Sequence, residues 1–382
     1  GGWQNLPNPN KTIVGVVRDT HSWVGLDGTR YLALGTDRKL YIYQGGALSD
    51  ITPLRQTESL TNPFTTNGTT TVSVNDAAHG AAVGDFVTFD SFSTIDGLDM
   101  NQEFEITSVT DASNYKVTHT STASGSTSGG GGSGNAKYQI TTGPSTSTFG
   151  YGWGTLTWGE STWDTARSSS DVVVSARNWS LDNFGEDLIA TALNGGTFIW
   201  DTSGGVGSRA TALSNAPTAS RFSLVSTDTR HLLIFGTETT IGDTTTQDDL
   251  LLRFSDSEDA TDYTPVSTNE AGSLRISDGS RIIGAVKSAG QVLVWTDTSL
   301  HGLQFVGTPF TFGLRQLGAN AGLIAQHAAI EVNGIAYWMS DDAFYLFDGV
   351  VKKMPCSVQD YVFDDMSYTN KADIAVGLNT AF

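Results

Sequence analysis

Tyr31-Leu-Ala-Leu-Gly-Thr-Asp-Arg-Lys-Leu-Tyr-Ile-Tyr43 decides the fold. Two short apolar runs, the second ending on an aromatic, flank a polar turn at Asp37-Arg38, the pattern of a β-hairpin. Upstream, Thr12–Arg18 and His21–Val24 add two more short runs, with Asp27-Gly28 as a tight-hairpin dipeptide. Four such runs, ending at Tyr43, make the strand complement of one propeller blade.

The same aromatic-ended hairpin recurs. It returns at Asp187–Trp200, at His231–Thr237 with Leu250–Phe254, at Gln291–Trp295 with Leu300–Phe305, and at Ile335–Trp338 with Ala343–Phe347. The later starts are spaced by roughly 45 to 60 residues, a blade-like period. The expected fold is therefore all-β: a β-propeller of repeated antiparallel blades, interrupted by a small inserted β-barrel-like domain. A β-sandwich is the runner-up, but paired sheets give no reason for one hairpin to recur.

Composition agrees with many short strands and tight turns. The 382 residues include 43 Gly, nine Trp, 18 Phe and 11 Tyr, with only 16% charged side chains. The net charge of −19 argues against a nucleic-acid-binding surface, which needs clustered Lys and Arg. An acidic wall still suits DNA that slides past without adhering. The single cysteine, Cys356, excludes an intrachain disulfide and reads as a small buried hydrophobe. No apolar run approaches the roughly 20 residues of a membrane helix, so no membrane insertion is expected. Gly1 and the strand-like pattern of Asp373–Phe382 suggest a piece of a longer or processed polypeptide.

The interruption lies between the first unit and the rest. Thr69–Val74, Gly84–Phe89, Glu103–Val109 and Tyr115–His119 alternate apolar and polar residues, as half-exposed strands do. Ser124–Asn135 is rich in Gly and Ser and reads as flexible coil. The expected organisation is a first propeller part at 1–57, an inserted β domain at 58–123, a linker at 124–137 and the remaining blades at 138–382. Tyr151–Asp164 then marks the return to the propeller, with Trp153, Trp158 and Trp163 as structural signature residues whose rings lock that return. Sugar stacking is the weaker reading of these rings.

Candidate chemistry is sparse. Gly129–Gly134 lacks the strand-to-helix transition and the Lys of a phosphate-binding loop. His21, His79, His119, His231, His301 and His327 are scattered singly and read as turn or surface histidines, so no metal site is expected. Asp248-Asp249, Asp256–Asp259 and Asp341-Asp342 lack EF-hand spacing and read as solvated loop carboxylates. Sialidase-like turn repeats are absent, as is any obvious arginine cluster for a substrate carboxylate. No catalytic residue and no cofactor are assigned.

Several segments together resemble the tail nozzle, or packaged-DNA stabilisation (tail hub), proteins of short-tailed bacteriophages. They are Gly1–Leu6, Tyr31–Tyr43, Leu48–Pro53, Gly150–Thr155, Trp158–Trp163 and Trp179–Asp187. The likeness covers most of the chain outside the insertion. The insertion itself, with turns at His79-Gly80 and Asp96-Gly97 and with Ala112–Asn114 before its last strand, resembles a small β-barrel module of phage structural proteins. The resemblance implies a non-enzymatic virion protein of the tail, assembled in the host bacterial cytoplasm, with a propeller carrying inserted domains. It implies a homohexameric ring as the first partner, then tail adaptor proteins, tail fibres or spikes, and packaged DNA that passes without specific binding. It further implies an upstream segment and a further blade beyond those read here. The alternative is a carbohydrate-binding or carbohydrate-cleaving propeller that recognises a host surface.

Overall fold

The computed structural model describes residues 12–141, 143, 147–149, 173–174 and 176–379. The chain divides into two compact units: Ile51–Thr142 with Arg209–Thr211, and the remainder.

The larger unit is a five-bladed β-propeller, each blade a four-stranded antiparallel meander. Blade one comprises Val17–Val24, Arg30–Thr36, Leu40–Gln44 and Ala47–Asp50; blade two comprises Trp179–Phe184, Asp187–Ala192, Thr197–Trp200 and Thr211–Ala212. Blade three comprises Phe222–Val225, Leu232–Phe235, Leu251–Phe254 and Gly272–Arg275. Blade four comprises Ile282–Ser288, Gln291–Thr296, Ser299–Gly307 and Thr311–Ala319. Blade five comprises Ala329–Val332, Ile335–Met339, Phe344–Phe347 and Val351–Lys353.

Every recurrent hairpin is the middle strand pair of a blade, paired antiparallel. These strands are predominantly apolar because sheets cover both of their faces; Leu232–Phe235 is buried at every position. In blade one, the first strand Val17–Val24 takes in His21–Val24 but only the last two residues of the expected run Thr12–Arg18, and Ala47–Asp50 is the fourth strand.

The recurrent aromatics join one blade to the next. Trp200 of blade two packs edge-on to Tyr31 of blade one, with ring centres 5.7 Å apart. Phe254 of blade three meets Phe312 of blade four at 5.0 Å, and Trp295 meets Trp338 between blades four and five at 5.4 Å. Such ring pairs add about 1 kcal/mol each beyond their burial. Gly35 is required by the same packing, since a Cβ there would lie 2.7 Å from the indole of Trp179. That indole donates to the Thr36 carbonyl at 2.8 Å.

The smaller unit is one curled seven-stranded sheet. Its order is Leu54–Thr61, Ser133–Gln139, Phe86–Asp90, Glu103–Asp111, Asn114–Thr118, Thr71–Asn75 and Phe64–Thr65. Alternation sets its inner face: along Glu103–Asp111, Phe104 and Ile106 turn inward while Glu103 and Glu105 face out. Phe64, Phe89, Phe92 and Phe104 form the aromatic centre of its core. The hydroxyls of Tyr115 and Tyr138 meet at 2.8 Å, and Tyr138 donates to Asp76 at 2.5 Å. Burial pushes both phenols above their ordinary pKa, so they stay neutral.

The structure corrects the expected boundaries. Residues 124–137 are not a flexible linker, because Ser133–Gln139 pairs with Leu54–Thr61 on one side and Phe86–Asp90 on the other. The glycines serve close approach: Gly131 has φ of +98° and a Cβ there would lie 2.5 Å from the Phe64 ring. The inserted domain thus runs beyond the expected 58–123, with its neck where Ile140 N donates to Pro53 O at 3.0 Å.

Candidate functional site

The first strand of each blade lines the propeller axis. These strands carry polar residues inside an otherwise apolar unit, and their side chains converge on two aspartates. Asp182 of blade two accepts Lys287 Nζ of blade four at 2.7 and 2.9 Å. It also accepts the backbone N–H of Val225 of blade three at 2.8 Å and that of Asn183 at 2.9 Å. His21 of blade one donates to Asn183 at 2.8 Å and stands 3.9 Å from Asp182.

Asp19 of blade one accepts the N–H of Leu181 at 2.9 Å and of Thr20 at 2.8 Å. His327, which leads into blade five, points Nδ1 towards Asp19 at 4.0 Å and donates through Nε2 to the Trp179 carbonyl at 3.1 Å. Burial raises the Asp19 pKa, with His327 and the two N–H donors pulling the other way. All five blades therefore meet in one hydrogen-bonded cluster around an axial cavity of about 400 Å³.

Chemically this cluster is a stitch. A glycosidase needs one protonated carboxyl and one available carboxylate facing a cleft. Asp182 is instead occupied by an ammonium and two backbone donors. Its charge offsets the cost of burial only while Lys287 stays in place.

The cavity at one end of the axis has a different character. Among the described residues, Arg177, Arg221, Arg281 and Lys371 line a space of about 100 Å³ floored by Ile283 and Ile324. The sequence reading found no arginine cluster; the fold assembles one from three blades.

The residues singled out from sequence fare unequally. Trp153, Trp158 and Trp163 lie outside the described residues, as do Gly1–Leu6 and Gly150–Thr155. Trp179–Asp187 forms the first hairpin of blade two. Among the described residues no His, Cys, Asp or Glu cluster could hold a metal. His79, His119, His231 and His301 are buried rather than superficial. His79 and His119 are held inside by loop bonds, each accepting the N–H two residues on through Nδ1. Cys356 is half-buried. The loop carboxylates are partnered: Asp248 by Arg275 at 2.6 Å, Asp249 by Arg221 at 3.6 Å, Asp341 by Lys371 at 3.0 Å and Asp342 by Lys353 at 3.7 Å.

Sequence reasoning missed Asp19, Asp182, Lys287 and the arginines. They sit in or just before first strands, whereas the readable pattern belongs to the middle strands. The arginines had a signal all the same, because each precedes a blade's first strand by one or two positions.

No family model matches the chain, and no curated protein matches it. Solved structures similar to it include a phage phi92 endosialidase, 13% identical, covering 87% of this chain and 44% of its own, with a TM-score of 0.23. Another is BBS1N in complex with ARL6DN, 10% identical, covering 90% and 82%, with a TM-score of 0.34. A putative gluconolactonase is 13% identical, covers 48% and 67%, and has a TM-score of 0.29. The chain spans less than half the length of the endosialidase. At these scores the likenesses carry no argument about activity.

Proposed function

We propose that this chain is a structural protein of a bacteriophage tail, forming with copies of itself the distal nozzle that retains packaged DNA and conducts it into the host. The observation that carries the reading is architectural. A propeller carrying an inserted β module is the arrangement the tail-nozzle resemblance implies, and both parts are present.

The axis of the propeller is crossed by the Lys287–Asp182 ion pair. The DNA path in this reading therefore runs through the centre of a ring of copies, with an acidic lumen that repels the phosphates. The inserted module meets a neighbouring subunit or fibre, and the tail adaptors hold the ring.

Cryo-electron microscopy of virions tests the proposal. The expected result is a sixfold ring of this chain at the distal end of the tail; its presence only in the capsid shell, or absence from particles, overturns the reading. A carbohydrate-binding or carbohydrate-cleaving propeller remains the competitor, favoured by one observation, the basic axial cavity, since acidic sugars carry a carboxylate. Saturable glycan binding lost in Trp158→Ala would support that competitor.

A further inference from the structure

Arg177, Arg221 and Arg281 occupy equivalent places in three consecutive blades. Each stands one or two residues before its blade's first strand, at Trp179, Phe222 and Ile282. Equivalent positions on a ring of blades converge at one end of the axis, so three guanidinium groups face a single cavity of about 100 Å³. Lys371 from the C-terminal turn adds a fourth cation. This convergence occurs in a chain of net charge −19, where chance would favour acidic neighbours.

Among the described residues the cations in the lining outnumber the acidic side chains. Among the described residues Asp373 is the only acidic one in the lining, and it is paired with Arg18. Arg221 donates through Nε to the Ile282 carbonyl at 2.9 Å and faces Asp249 at 3.6 Å. Asp341 holds Lys371 at 3.0 Å. Among the described residues Arg281 has neither an ion pair nor a bond for its buried Nε–H. A buried donor without an acceptor is costly, and repeated guanidinium groups near one another repel. One compact anion would relieve both.

We propose that this cavity binds a single compact oxyanion, a phosphate or a carboxylate group, with Arg281 as its principal donor. Arginine suits either ligand because its planar fork matches two oxygens at once. The apolar floor of Ile283, Ile324 and Ala325 strengthens the attraction by excluding water. The inference goes beyond the tail reading and stands without it. The group can come from free phosphate or from an acidic sugar, and the test separates these sources.

Isothermal titration calorimetry on the full chain, at fixed chloride concentration, uses inorganic phosphate in one arm and glucuronate in the other. Saturable binding with one site per chain is expected in at least one arm, phosphate alone indicating free phosphate and glucuronate alone an acidic sugar. Arg281→Gln should weaken it about tenfold. Lys371→Gln, at a half-exposed position, should weaken it about threefold and serves if the arginine variant does not fold. No saturable heat in either arm, or unchanged affinity in the folded variants, would overturn the proposal.

Discussion

The propeller and the inserted module solve the same problem in different ways. The module curls one sheet around one core, with Phe64, Phe89, Phe92 and Phe104 in a chain of ring contacts and a buried tyrosine pair. The propeller has several smaller cores, each shared by neighbouring blades, as where Phe254 and Phe312 join blades three and four. Its axis is held by polar groups instead, Asp19 and Asp182 above all. A curled sheet can be stable through burial alone, whereas a ring of sheets needs each interface and a centre that fixes the blades in order.

The comparison is broken most severely by Trp179→Ala. Trp179 is 1% exposed, packs on Gly35 and spans blades one and two. Its loss should cost the propeller about 4 to 5 kcal/mol, read by denaturant unfolding, while module signals keep their midpoint. Phe89→Ala is the converse: about 3 to 4 kcal/mol from the module, with the propeller transition unmoved. Equal movement of both transitions in either variant would contradict separate cores.

A smaller effect sharpens the role of the axis. Lys287→Met leaves Asp182 without its cation and should destabilise the propeller by about 2 kcal/mol, below the fully buried case because the lysine is partly exposed. Adding Asp182→Asn should recover part of that loss; an additive double variant would show that the two side chains act independently.

The smallest effect depends on pH. His231 in blade three is fully buried, donates or accepts at Thr229 Oγ1 at 2.7 Å, and is enclosed by Phe254 and Phe312. Burial holds its pKa below the ordinary histidine value despite Glu270 and Asp256 nearby. A depressed histidine contributes stability above its unfolded pKa of about 6.5 and loses it as pH falls towards the folded value. The slope should reach at most about 1.4 kcal/mol per pH unit. His231→Gln should remove this component from the pH dependence of the propeller's unfolding; an unaltered acid limb would show that His231 does not titrate on unfolding.

Legibility in the sequence follows burial. The middle strands of each blade were readable because two covering sheets demand continuous apolar runs between turn residues, as at Leu232–Phe235. First and fourth strands were obscure: Trp179–Phe184 carries Ser, Asp and Asn towards the axis, and Gly272–Arg275 lies exposed or half-exposed. The glycine run at 129–134 was misread because composition alone does not distinguish a coil from backbone packed against Phe64 and Asp90. The axial site was invisible for a topological reason. Asp182 and Lys287 are 105 residues apart and meet only when the ring closes. The basic cavity required the blades to be aligned before its three arginines could be seen as one position repeated.

The central claim is that a propeller is interrupted by a module that folds on its own. Calorimetry of Leu54–Gln139 expressed alone tests it most directly, because the neck at Pro53 and Ile140 brings the ends of that segment together. The account predicts one cooperative transition matching the module's transition in the full chain, with amides at Val72 and Val117 protected from exchange. A segment without a cooperative transition would contradict it.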